Sequence, residues 1–257
     1  FFLSAQGRIL ADVNLLCLPD HLLLDTEPET REFVFSHLDK YIIADDVTLE
    51  DISEHTAVLG VEGPKSAETL AAAGELRLMA RISATGAPGF RIFAPHAEKE
   101  DLVRRLEAAG AVAANAEEAR TVRLEFGRPR YGEDISDKYL PQETQLLHAV
   151  HFNKGCYLGQ EIVERVRSRG MVHRLLVRLA IDAVEPPEAG TKITAGEREV
   201  GEITSAAFSP AAGKVLALGY VRLGEIGADA PLAAGGHAAE IAKGTACVFP
   251  SGAHAHG

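Results

Sequence analysis

The densest set of residues able to do chemistry is Lys154-Gly155-Cys156-Tyr157-Leu158-Gly159-Gln160-Glu161. A thiolate is the nucleophilic and metal-binding form of cysteine, and a lysine two residues before Cys156 favours that form electrostatically. Glycines on both sides of the Cys-Tyr pair allow the backbone to turn sharply and approach a ligand closely. Gln160 and Glu161 then open a predicted helix through Ile162, Val163 and Val166. Glu161 falls in its first turn, where the helix dipole favours an acid. The residues alone leave a second reading equally open, an inert cysteine buried in a tight turn.

Downstream, Arg165, Arg167, Arg169, Arg174 and Arg178 fall within fourteen residues that contain no acid. The planar guanidinium fork suits carboxylates and phosphates, so an anionic ligand fits this stretch; so does a solvated basic face. Upstream, Glu125-Phe126-Gly127-Arg128-Pro129-Arg130-Tyr131-Gly132 leads into Leu140-Pro141-Gln142-Glu143-Thr144. Loops of this kind often line sites. Glu143 is able to accept two hydrogen bonds from an amino-pyrimidine edge, or to cap the helical turn after Pro141. Asp12 interrupts the apolar run Ile9-Leu10-Ala11-Asp12-Val13, and a carboxylate there faces either a pocket or solvent, since burial without a partner is costly. The chain has no P-loop, no Gly-x-Gly-x-x-Gly and no Gly-x-Ser-x-Gly elbow, which removes the nucleotide-hydrolysis and serine-hydrolase classes.

The elements that must position these residues are legible in outline. Strands are predicted at Ile9 to Leu18 and Leu22 to Leu24, turning at Pro19-Asp20. Helical periodicity covers Glu29 to Ile43, Ser66 to Ala73 and Ala97 to Ala109, the last stopped by Gly110. Val47 to Leu49 and Thr56 to Val61 read as strands, and Ile82 with Gly86 to Phe93 as a hairpin. After Leu175 the texture changes to short β runs at 175–181, 191–194, 199–206, 214–221 and 238–241, separated by Gly and Pro. That spacing predicts a small antiparallel barrel or sandwich. The expected division is therefore an α+β or α/β region at 1–172 and a β-domain at 173–257.

The composition bounds what the whole can be. At 257 residues with 46% hydrophobic and 25% charged residues, the chain can bury a sizeable core. A net charge of −11 argues against general nucleic-acid binding. Three scattered cysteines, Cys17, Cys156 and Cys247, suit a reducing, cytoplasmic compartment and give no ligand pattern for a resident metal or iron–sulfur cluster. No apolar run approaches the ~20 residues of a membrane span. The terminal His254 and His256 read as solvated.

Lys154-Gly155-Cys156-Tyr157-x-Gly159-Gln160-Glu161 matches the signature of the YgfZ family at seven fixed letters. The resemblance extends to Ala5-Gln6-Gly7-Arg8, Gly86 to Phe90, Gly127 to Gly132, Leu140 to Glu143 and Gly201-Glu202-Ile203-Thr204-Ser205. The chain resembles that family of folate-binding proteins, which is similar to the glycine-cleavage T-protein. The resemblance implies a GcvT-like folate-binding core of α+β subdomains followed by a C-terminal antiparallel β-barrel. It implies tetrahydrofolate as the ligand and a role in assembling or repairing iron–sulfur clusters in client enzymes, rather than conventional catalysis. Cys156 with Lys154 would be the working pair. Glu143 would hold the pterin, Arg169 would be a candidate for the glutamate tail, and Asp12, Tyr131, Tyr157, Gln160 and Glu161 would shape the pocket. Two alternatives stand beside it: a folate-dependent aminomethyltransferase with Asp12 as its acid–base group, and a non-catalytic, folate-regulated scaffold. The T-protein has paired aspartates where this chain has Ala11-Asp12, and it lacks the Cys-containing signature. The family also carries a strand-and-helix segment before the Ala5 to Arg8 position, so part of the folate pocket is expected to lie outside this sequence.

Overall fold

Residues 56–126 run strand, helix, two strands and two helices, and their apolar faces follow the two periods that strands and helices require. The computed structural model describes residues 1–170, 172–228 and 230–242, with Arg169 described through its backbone alone. Cys247, His254 and His256 lie outside the described residues. The chain forms two compact units, one of residues 1–14, 25–27 and 129–257, the other of 15–24 and 28–128.

The first strands are β1 (Phe2–Leu3), β2 (Ile9–Ala11), β3 (Val13–Cys17) and β4 (Leu22–Thr26). The single strand predicted at Ile9 to Leu18 is broken at Asp12, where pairing passes from β1–β2 to β3–β4. The turn at Pro19-Asp20 forms as read, closed by Leu18 N–H donating to the His21 carbonyl at 2.9 Å.

In the unit of residues 15–24 and 28–128, a 3-10 turn at Pro28–Thr30 leads into α1 (Arg31–Asp39). Helix α1 is shorter than its periodic pattern, because residues 40–55 turn without regular structure, and the strand expected at Val47 to Leu49 does not form. β5 (Thr56–Glu62), α2 (Ser66–Ala72), β6 (Leu78–Ala80), β7 (Gly89–Pro95), α3 (Lys99–Ala108) and α4 (Ala116–Phe126) follow. The sheet order is β5-β7-β6, antiparallel throughout. The hairpin partner of β7 is thus Leu78–Ala80 and not Ile82. Residues 83–85 are instead held on the Glu62 carboxylate, which accepts from Ser83 Oγ, Ala84 N and Thr85 N at 2.8, 2.7 and 3.1 Å, and also from Thr85 Oγ1. Val61, Leu70, Ile92, Leu102 and Leu106 form this unit's core, with α2 and α3 laid on one face of the sheet.

In the other unit, α5 (Gln160–Arg169) precedes β8 (Arg174–Ile181), β9 (Lys192–Ala195), β10 (Arg198–Ser209), β11 (Lys214–Arg222), β12 (Leu232–Ala234) and β13 (His237–Ile241). These six strands close into an antiparallel barrel in the order β10-β11-β8-β13-β12-β9, so the sandwich option falls away. Closure leaves no open edge, which is how a small sheet avoids pairing with other chains. Val177, Leu179, Ile181, Ile193, Val200, Val215 and Val221 fill the interior, each fully buried. Each such side chain is worth about 1.5–3 kcal/mol of burial. Gly201 sits where a Cβ would stand 2.2 Å from the Tyr220 carbonyl oxygen, so only glycine permits the strands to close at that point.

Candidate functional site

Helix α5 begins at Gly159, which adopts φ +80°. A Cβ on Gly159 would stand 2.5 Å from the Ser4 carbonyl oxygen and 2.9 Å from Gly7 Cα. Gly7, also left-handed at φ +72°, would place its own Cβ 3.0 Å from Ile162. The Ala5-Gln6-Gly7-Arg8 turn and the Cys156 loop are therefore packed backbone to backbone. Gln160 Oε1 accepts from Tyr157 N at 3.1 Å and closes the turn that carries the thiol. Gly155 differs from Gly159, for nothing would meet its Cβ within 4 Å.

Cys156 is a free, exposed thiol, so the cysteine is not buried in its turn. The contact the structure gives Lys154 is to Tyr157: its Nζ lies 5.2 Å from that ring's centroid. Tyr157 and Tyr131 both pack against the cluster of Leu3, Ile9, Ile135 and Val163. Burial raises both phenol pKa values, helped by the charge of Glu164 at Tyr157 and of Asp137 at Tyr131. Glu161 is exposed in the first turn of α5, as its position predicted. Asp12 is half-buried, and its backbone carbonyl accepts from Thr26 Oγ1 at 3.0 Å.

Glu143 is buried and caps its own 3-10 turn (Pro141–Thr144), with Oε2 accepting from Leu140 N at 2.9 Å. Oε1 accepts from Arg174 Nε, also at 2.9 Å. The Arg174 guanidinium lies over the Tyr139 and Tyr220 rings, which stack 3.8 Å apart. One of the five clustered arginines is thus committed to the acid that was expected at the far end of the ligand. Arg167 pairs with Glu164 at 3.2 Å and covers the Phe152 ring, and Arg165 is exposed on α5. The side chain of Arg169 lies outside the described part.

Several positioning residues went unread in the sequence. Asp134 is fully buried and accepts from Thr204 Oγ1 at 2.6 Å, Ser205 Oγ at 2.5 Å and Arg130 N at 3.1 Å. Tyr220 OH donates to the Asp134 backbone carbonyl at 3.1 Å. This joins the loop before Glu143 to the barrel. Gln142, also fully buried, donates to the Val163 carbonyl at 2.8 Å and ties the Glu143 turn to α5. Gln145 is the one non-glycine with positive φ among the described residues, held by a 2.6 Å bond to the Leu176 carbonyl. A buried acid within Gly132-Glu133-Asp134 and hydroxyls within Gly201 to Ser205 were the available signals, but only the fold pairs them.

Tyr131 and Tyr157 thus pack on one small apolar cluster, to which Gln142 ties the Glu143 turn through the Val163 carbonyl and Gln160 is joined through Tyr157 N. The set offers an anchored carboxylate, two phenol rings and an exposed thiol, with cations at Lys154 and Arg165. Among the described residues no group of three or more His, Cys, Asp or Glu is placed to hold a metal ion, and no helix is long and apolar enough to cross a membrane.

Comparison with known proteins agrees with this architecture. Residues 174–247 match the glycine cleavage T-protein C-terminal barrel domain. An aminomethyltransferase of Thermus thermophilus is 32% identical over 250 residues, covering 89% of this chain and 68% of that protein. One from Rubrobacter xylanophilus is 31% identical over 236 residues, covering 84% and 63%. The chain spans about three fifths to two thirds of the length of the curated relatives it matches. The crystal structure of glycine cleavage system aminomethyltransferase T from Bartonella henselae superposes with a TM-score of 0.79 over 93% of this chain and 72% of that one, at 24% identity.

Proposed function

The chain belongs to the aminomethyltransferase family, and on that premise we propose that it binds tetrahydrofolate. The observation that carries the reading is the buried Glu143 carboxylate, anchored by Leu140 N and Arg174 Nε on the turn that Gln142 ties to Val163, in the apolar cluster against which Tyr131 and Tyr157 pack. Each Glu143 oxygen accepts from one donor and keeps a second lone pair, so the carboxylate retains capacity for an amino-pterin edge. The phenol rings offer apolar faces with a polar tip, and Lys154, Arg165 and Arg169 are the cations proposed for an anionic glutamate tail. Asp12, Gln160 and Glu161 complete the proposed lining. Folate would supply the one-carbon chemistry; these residues would bind and orient it.

Aminomethyl transfer is the activity that the relatives' names support most directly, ahead of iron–sulfur cluster work. The exposed Cys156 thiol, absent from the T-protein pattern, favours a second reading in which the folate-bound protein assists cluster assembly or repair in client enzymes. The two separate cleanly. Transfer with glycine-cleavage partners that survives Cys156→Ser supports the first. No transfer, with iron–sulfur enzyme activity lost in a strain carrying Cys156→Ser, supports the second.

Titration calorimetry with tetrahydrofolate tests the shared premise. Glu143→Gln keeps an acceptor for Leu140 N but loses the charge. It is expected to weaken binding about ten- to a hundredfold with the circular dichroism spectrum unchanged. Undiminished affinity removes Glu143 from the site, and no binding by the unaltered protein removes the reading.

A further inference from the structure

The net negative charge is unevenly distributed. Residues 28–55 hold eight carboxylates against Arg31 and Lys40, whereas residues 56–128 hold ten acids and ten bases. Arg31 is itself taken up by Asp51 and Glu54. Among the described residues Glu32, Asp39, Asp45, Asp46 and Glu50 have no cationic side chain within ion-pair distance.

Helix α1 and the turn after it set a row of three neighbouring rings within this acidic stretch, with Phe33 and Tyr41 exposed and His37 half-buried. Phe33, His37 and Tyr41 follow at helical spacing, with successive ring centroids 5.3 Å apart. Phe33 and Tyr41 are 38% and 50% exposed, and Ile43, two residues on, is 89% exposed. Neighbouring rings, tilted or edge-on to one another, still leave much apolar area in water. Aromatic faces and unpaired carboxylates also attract the same charge: Lys40 Nζ already lies 5.8 Å from the Tyr41 centroid.

We propose that this face docks a basic, amphipathic peptide segment of a partner protein. Its Lys or Arg side chains would lie over the Phe33 and Tyr41 rings and against Asp45 and Asp46, and its apolar side chains would cover Ile43. Complementarity of charge selects this occupant over an acidic segment or a second copy, which would bring like charges together.

The probe is a fluorescent Leu/Arg amphipathic peptide of about four helical turns, followed by anisotropy with the whole protein. A Leu/Glu peptide of equal length is the comparison. The Leu/Arg peptide is expected to bind and the Leu/Glu peptide not. The double variant Phe33→Ser/Tyr41→Ser is expected to lose at least about tenfold in affinity. Asp45→Asn/Asp46→Asn is expected to lose about three- to tenfold at low salt, a loss that fades as salt rises. Glu185→Gln/Glu188→Gln, remote in sequence and equally charge-neutralising, should bind as the unaltered protein does. An equal loss in that control would reduce the effect to net charge and overturn the proposal. So would binding of the acidic peptide, absence of binding, or self-association in sedimentation. A fall in Tm of more than about 5 °C in the aromatic variant would mean that the protein itself packs on this face, with the same consequence.

Discussion

Gly155 and Gly159 flank the same thiol, yet only one of them is constrained. Gly159 combines φ +80° with a Cβ path blocked by Ser4 and Gly7 backbone, while the Cβ path of Gly155 is open. Gly159→Ala is therefore expected to cost at least about 2 kcal/mol in urea unfolding, from the left-handed penalty and the collision together. Gly155→Ala should stay within about 0.5 kcal/mol. At this scale the sequence was legible where residue type restricts geometry. The Cys156 loop, the helix opening at Gln160 and the capping option for Glu143 could all be read. The engagement of Arg174 with Glu143 could not. Thirty-one positions separate them, and the pairing depends on β8 running beside the Pro141–Thr144 turn. Lys154 likewise turned to a ring that spacing alone did not favour over the thiol.

Among the elements, α4 passed unread although its start is spelled out. Asn115 Oδ1 accepts from Glu117 N and Glu118 N, both at 2.9 Å, and Glu118 returns a bond to Asn115 N at 2.8 Å. This reciprocal cap satisfies three otherwise orphaned donors. Asn115→Ala is expected to cost about 1 kcal/mol, read from the shift in urea midpoint. The β runs of the barrel were legible because Gly and Pro punctuate them; the short β12 was not, and neither was closure, which is set by register. Val47 to Leu49 has strand-forming residues but no neighbouring strand, and pairing prevailed over propensity. The same stretch is tied to α1 through Asp51. Hydrogen bonds from Ser53 and then the Arg31 guanidinium hold its carboxyl at about 2, below the ordinary carboxylate value. A depressed pKa contributes stability that is complete above the unfolded value and is lost as pH falls through the folded one. Asp51→Asn should therefore be less stable than the unaltered protein at pH 7. The gap should close between about pH 4 and 2, as urea midpoints across that range will record.

For the molecule as a whole, composition sets the colloidal behaviour. With a sequence pI near 5.4, light scattering of concentrated protein should peak close to that pH and fall on either side. The two compact units were only partly legible, because the β-barrel unit is discontinuous: residues 1–14 and 25–27 belong with 129–257. Nothing in a linear scan marks residues that must rejoin their unit after a long excursion. That discontinuity has a consequence for biosynthesis. Gly7 leaves the ribosome long before Gly159, and the backbone contact between them cannot exist until both are out. At elongation rates of about 5–20 residues per second, the stretch between Asn14 and Pro129 takes roughly 6 to 23 seconds to make. During that interval Ile9 and Leu3, apolar and destined for burial, have no core to enter. The thiol loop is thus assembled by the last-made half of the chain capturing the first. A nascent chain stalled before residue 129 should expose its leading strands to holding chaperones, and one stalled well beyond Gly159 should not.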